Sequence, residues 1–429
     1  MAEEITNFKK ELILSEMAEN LVGSEIIKLA NEVNERIRNG EHIFNLTIGD
    51  FDPSIFSIPA DLKEEIIKAY ESGHTNYPTS NGIVELRRAV SDFLFTRGGI
   101  EYNENQILIS GGGRPLIYST YQALVDPGDS VIYPTPSWNN NHYCHMAGAK
   151  QIPIETSPEN NFMLSAEDLA PNIEEAALIA LCSPLNPTGT GFSEDGLRDI
   201  CIAIVEENKR RGENQKPLYL LYDQIYWQLT FGDTVHYNPV NLVPEMKEYT
   251  VFIDGMSKAF AATGVRIGWG FGPQRIIDKM KAIVGHLGAW SPKAAQVATA
   301  VFLKNDESVD TYLTDFKERV EMRLNAFYDG FKTLKTLGFN VDAISPQAAI
   351  YLTVKIDLKG LKTPEGKEIA KTSDATQYLL NEAKIALVPF SAFGAEENSP
   401  WYRLSIGTAS MSDIDQFFEN LRKALSKLT

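Results

Sequence analysis

The sequence predicts an α/β protein, with a large domain built on a mostly parallel sheet covered by helices on both faces and a smaller α+β domain beside it. Three observations predict this. From about residue 84 to 270, short apolar, β-branched runs alternate with stretches of helical period, as crossovers between parallel strands require. After a long helical stretch, the last hundred or so residues return to strand candidates and close on an amphipathic helix. A chain of 429 residues is also long enough for two hydrophobic cores.

The elements follow in order. Ser24 to Asn39 reads as an amphipathic helix ended by Gly40, a residue suited to a C-cap. Strands are expected at Gln106 to Ser110, Ser130 to Tyr133, Ala176 to Cys182, Pro217 to Tyr222, Thr250 to Ile253 and Val265 to Gly270. All but the last run straight into turn or polar residues, and ligands of such sheets gather outside the strands' carboxyl ends. Asp306 to Lys335 reads as one long helix or two, with a domain boundary inside it near residue 320. Ala348 to Ile356, Ile385 to Val388 and Tyr402 to Ile406 are further strand candidates, and Met411 to Leu428 is the closing helix. Residues 55–320 thus form the large domain, and 1–54 with 321–429 the small one.

Composition excludes several function classes. There are 57 acidic against 40 basic residues, a net charge of −17, and no basic run longer than Lys209-Arg210-Arg211. No continuous basic surface is available for nucleic acid or an anionic membrane. Cys144, Cys182 and Cys201 are odd in number and lack CxxC spacing, so neither a disulfide framework nor a metal knuckle is expected, and a reducing compartment such as the cytoplasm is. Met1 to Lys10 is polar and acidic, unlike an export signal. The apolar runs fall far short of the roughly 20 residues that cross a bilayer.

Chemistry concentrates after the strands. Lys258, in Asp254-Gly255-Met256-Ser257-Lys258, follows an apolar run; a lone lysine there is usually a solvated surface residue. Its company changes the reading, because nearby cations and desolvation lower an amine's pKa and make it a nucleophile. Arg266 lies eight residues on, behind Gly264, and suits a phosphate held bidentately beside the Ser257 hydroxyl. Asp223, in Tyr222-Asp223-Gln224-Ile225-Tyr226, reads either as a helix N-cap or as a carboxylate pairing with a protonated ring nitrogen, with Tyr226 offering its phenol to a ring oxygen. Ser183-Pro184-Leu185-Asn186-Pro187-Thr188-Gly189 is a turn whose prolines also present the Asn186 amide. Gly111-Gly112-Gly113-Arg114 opens a helix whose amides could cradle a phosphate, and it does not match the dinucleotide fingerprint GxGxxG.

These segments, in this order and spacing, resemble the class I/II aminotransferases, pyridoxal-phosphate enzymes of fold type I that include the aspartate aminotransferases. The resemblance runs from about Ile43 to the C-terminus. It implies a seven-stranded, mostly parallel sheet and a cofactor, pyridoxal 5'-phosphate. It further implies that Lys258 holds the cofactor as a Schiff base and moves the Cα proton, that Asp223 pairs with the pyridine nitrogen, and that Asn186 and Tyr226 contact the ring oxygen. Trp138 would stack on the ring, and Gly112, Gly113, Arg114, Ser257 and Arg266 would hold the phosphate. Tyr77 would reach the phosphate of a neighbouring subunit, implying a homodimer. Arg403, helped by Gly49 and Asn186, would clamp the α-carboxylate of an amino acid or 2-oxo acid.

The implied activity is ping-pong transamination. The alternative is a lyase or aminocyclopropane carboxylate synthase-like reaction on the same constellation. A DNA-binding regulator is disfavoured, because the segment before Gly40 is short and acidic. Two departures stand out: Phe390 replaces a glycine common in relatives, and Gly285 to Gln296 carries Leu287 but no arginine of the kind that aspartate-specific members place there. Phe390, Phe393, Tyr351 and Trp290 are possible pocket walls, and Arg114 either adds charge near the phosphate or faces solvent.

Overall fold

The computed structural model describes residues 14–23 and 25–429. Ser24, the expected start of the first long helix, lies outside them, as does Met1 to Lys10; the helix itself occupies Glu25–Arg38. The large sheet has seven strands, in the order Ile107–Ser110, Gly268–Phe271, Thr250–Gly255, Tyr219–Asp223, Ala176–Cys182, Ser130–Thr135 and Lys150–Glu155. Gly268–Phe271 is antiparallel to both neighbours, and every other pairing is parallel.

Side chains alternate between the faces of a strand, and both faces here are apolar because helices cover both. Leu108, Val131, Leu178, Leu221 and Val251 enter one core with the helices Gly113–Leu124 and Gln274–Leu287. Ile109, Ile132, Ile179, Leu220 and Phe252 enter the other with Val84–Gly98, Glu194–Arg211 and Lys293–Leu303.

Two strands differ from expectation. Lys150–Glu155 reads poorly as a strand because polar and charged residues and Pro153 interrupt it, which an edge position tolerates. The strand expected from Val265 begins only at Gly268: Thr263–Val265 is a 3₁₀ turn and Arg266 takes the left-handed conformation, φ 61°.

A second, antiparallel sheet is ordered Val388–Pro389, Trp401–Ser405, Tyr351–Ile356, Val341–Ala343, and Phe44–Asn45 pairs in parallel with Ile385–Ala386. Asp306–Thr336 is one unbroken helix, started by Asn305 capping the Ser308 amide. Val309 and Leu313 are buried in the large sheet's core, whereas Phe316, Val320, Leu324, Phe327 and Phe331 are buried in the second sheet's core. No helix among the described residues is long and apolar enough to cross a membrane.

Candidate active site

The carboxyl ends of the central strands open into a cavity of about 860 Å³. Of the residues singled out in the sequence, Gly49, Gly113, Arg114, Trp138, Asn186, Asp223, Tyr226, Ser257, Lys258, Arg266 and Arg403 all line it. Asn186, Asp223, Ser257 and Lys258 are placed by the ends of strands or the turns after them, whereas Arg403 lies in the middle of Trp401–Ser405.

Asp223 is the last residue of its strand, and its Oδ1 accepts from the Ile225 amide at 3.0 Å. Burial pushes its carboxyl up to about 6, against the opposing pull of that amide and of Lys258. Ser257 and Lys258 sit on the short helix Met256–Ala259 directly after the next strand. Lys258 Nζ donates to the Gly49 carbonyl at 2.6 Å. Burial lowers its pKa to about 8; Asp50 opposes this, while Arg403, Arg114 and Arg266 add to it. The sequence reading missed Asp50, whose carboxylate also accepts from Thr263 Oγ1 at 2.7 Å.

Arg266 reaches back to the glycine turn, donating to the Gly111 carbonyl at 2.6 Å and to the Thr263 carbonyl at 2.6 Å. Gly112, at φ 99°, is not itself part of the lining, but a Cβ there would lie 2.3 Å from Arg266 Nη2. The turn therefore needs glycine twice over, for its backbone angle and for the guanidinium beside it. Arg114 is exposed and lies with its guanidinium 4.6 Å from the Trp138 ring centroid.

Across the cavity, Arg403 is 2% exposed on Trp401–Ser405. It donates to Asn186 Oδ1 at 3.0 Å and to the Thr47 carbonyl at 2.6 Å, between the rings of Tyr351 and Phe393 at 4.6 and 4.9 Å. Its Nε is buried without a partner among the described residues. Because Arg403 occupies the Asn186 oxygen, the amide N–H groups are what Asn186 can offer a ligand. Tyr226 and Tyr351 share a buried hydrogen bond of 2.7 Å between their hydroxyls, and burial raises both phenols above their ordinary range.

Tyr77 does not line this cavity: it is 81% exposed and lies edge-on to Trp290 at 5.3 Å. Phe390 does not enter the cavity either. It is fully buried against Phe162, edge-on at 5.2 Å, so the bulk that replaces glycine goes into the core. Leu287 lies exposed outside the cavity. Leu21, Val22, Ile26 and Ile27 also line the cavity, unforeseen from their own stretch of sequence, and the segment before them is tied down by His145 Nε2 donating to the Met17 carbonyl at 2.8 Å. Nor did it single out His142 and Met146, on the helix Asn140–Ala147.

This donor set fits pyridoxal phosphate: an amine of lowered basicity, a buried carboxyl for a ring nitrogen, a glycine turn shaped around an arginine for an anion, and a second, buried arginine with an unpartnered Nε.

Comparisons with known proteins point the same way. The profile described as Aminotransferase class I and II matches residues 41–421. The chain is 30% identical to the aspartate aminotransferase of Bacillus subtilis, over 96% of this chain and 99% of that one. It is 29% identical to a probable aspartate/prephenate aminotransferase of Rickettsia felis, over 97% of each. Among solved structures, the aspartate aminotransferase of Rhizobium meliloti superposes with a TM-score of 0.88 at 27% identity, covering 97% of this chain and all of that one. With a seven-stranded sheet, a cofactor-compatible cavity and whole-length relatives in agreement, this chain belongs to the class I and II aminotransferases, the pyridoxal-phosphate transaminases of fold type I.

Proposed function

We propose that the cavity is the transamination site of the chain, exchanging an amino group between an L-amino acid and a 2-oxo acid in ping-pong fashion. The observation that carries this is the convergence of Lys258, Asp223, Asn186, Arg266 and Arg403 on one cavity. When bound, pyridoxal phosphate supplies an aldehyde that condenses with amines and a cationic ring that withdraws electrons from the substrate Cα. Lys258, its basicity lowered by burial, would hold the cofactor through its neutral amine and, when freed, would take the proton from the substrate Cα. Asp223 would pair with the ring nitrogen and keep it protonated, Asn186 and Tyr226 would hydrogen-bond the ring oxygen, and Trp138 would cover the ring. Gly113, Arg114, Ser257 and Arg266, with Gly112 shaping the turn, would hold the phosphate. Arg403 holds the α-carboxylate with Gly49 and Asn186 at its side, and Lys258 returns the proton when the second oxo acid arrives.

An acidic amino acid is the proposed donor. The relatives are named for aspartate or for aspartate and prephenate. A homodimer is proposed as well. Tyr77 is exposed and does not line its own cavity, and Ile67, Tyr70 and Val301 leave apolar side chains exposed on two helices that pack together. We take residues 55–320 and 1–54 with 321–429 as the two domains, the long helix joining them, and the cytoplasm as the compartment. The free thiols of Cys144, Cys182 and Cys201 support the last.

The test is a half-reaction. Mixing the holoenzyme with aspartate alone should convert the cofactor stoichiometrically to its amine form, whereas catalytic release of ammonia or another fragment would mean a lyase. Lys258→Ala should abolish both the visible lysine-bound absorbance and turnover.

A further inference from the structure

One acid near the cavity has no part in the chemistry above. Asp254 is 1% exposed on Thr250–Gly255. Ile253, the residue before it, pairs with Asp223 and faces the cavity, so alternation turns Asp254 to the opposite side, into the core with Phe252. It cannot touch a ligand. Its Oδ2 accepts from Trp227 Nε1 at 2.8 Å and from Trp269 Nε1 at 3.2 Å, and its Oδ1 from the Gly255 amide at 2.7 Å.

Those three donors belong to three different site-bearing segments. Trp227 follows Tyr226 directly and Asp223 by four residues; Gly255 opens the turn carrying Ser257 and Lys258; Trp269 lies three residues beyond Arg266. A buried carboxyl, here pushed up to about 8 by burial against the pull of those three donors, costs free energy that an apolar side chain would not, so stability alone is a poor reason for one here. Groups that orient a reactive set through hydrogen bonds give a reason, because small misplacements are expensive in rate.

We propose that Asp254 is a positioning residue, clamping the Asp223, Lys258 and Arg266 segments in mutual register from behind the sheet. This rests on the assignment of those three residues to the cofactor. In Asp254→Asn one acceptor oxygen becomes an NH₂ group facing N–H donors, so the clamp opens with little change of shape.

The experiment titrates pyridoxal phosphate into the apo forms of wild type, Asp254→Asn and Trp227→Phe, then measures half-reaction kcat and KM on the holoenzymes alongside thermal melting. Expected for Asp254→Asn are a cofactor dissociation constant about tenfold or more higher and a kcat about 10- to 100-fold lower, with KM within about threefold of wild type. Trp227→Phe, which removes a single donor, should move the same quantities in the same direction by less. Wild-type-like affinity and kcat, within about twofold, in folded variants with lowered melting temperatures would assign Asp254 a purely structural role and overturn the proposal. Where Asp254→Asn does not fold, Trp227→Phe decides by the same criteria. Lys258→Ala separates the two levels: if it still forms the lysine-bound absorbance, the underlying assignment falls; if it does not and the Asp254 and Trp227 variants are unchanged, only the clamp falls.

Discussion

The two walls of the cavity are built by different means. The wall formed by the large sheet takes Asn186, Asp223, Ser257 and Lys258 from the ends of neighbouring, mutually hydrogen-bonded strands. The opposite wall takes Gly49, Tyr351 and Arg403 from segments remote in sequence, joined by contacts such as Arg403 to Thr47, 356 positions apart, with the N-terminal segment laid over the mouth. Where a site is made of strand ends, turn chemistry is written locally and rigidity comes from the sheet. Where it is made of distant segments, each residue depends on the tertiary pairing that brings it in.

Variants can break or sharpen that contrast. Asp223→Asn, on the sheet wall, should lower the half-reaction kcat by about 10²-fold or more, the scale of losing one preorganised electrostatic group, while leaving the amino donor's KM nearly unchanged. Stopped-flow kinetics checks this, and an effect confined to KM would erase the distinction between the walls. Arg403→Lys, on the other wall, should raise KM for both amino acid and oxo acid roughly 10- to 100-fold, since a forked charge-assisted contact is worth about 1.5–3 kcal/mol. The cofactor's visible spectrum should stay as in wild type; a lost chromophore would mean that the walls are not separable. The smallest effect is one of pH. On the proposed assignment Lys258 would capture the cofactor as a neutral amine, and its pKa is lowered to about 8. The rate of reconstitution of the apo protein should climb to about pH 8 and then level off, rather than continue towards the ordinary lysine value.

The same contrast explains what could be read in advance. The strand-end residues were legible because each sits in a short motif whose glycines, prolines and polar groups interrupt an apolar run. Arg403 and Gly49 were reachable through family resemblance rather than through local chemistry. Asp50 and the apolar mouth residues Leu21, Val22, Ile26 and Ile27 were not legible, since nothing in their own neighbourhoods distinguishes a cavity lining from a solvated turn or a helix face. Asp254 left a faint signal, an acid ending the apolar run Thr250 to Ile253, but its indole partners lie 27 and 15 positions away. In the fold, Lys150–Glu155 escaped notice because an edge strand need not be apolar, and Arg266 broke the expected strand by adopting a conformation that pattern alone assigns to glycine.

That arginine sets stability and function against each other. A non-glycine residue held in the left-handed region costs on the order of 1–3 kcal/mol, and glycine at position 266 would remove the cost together with the guanidinium. On the proposed assignment, the anion Arg266 would grip is what offsets this strain, so selection for heat tolerance alone would pull the position away from arginine.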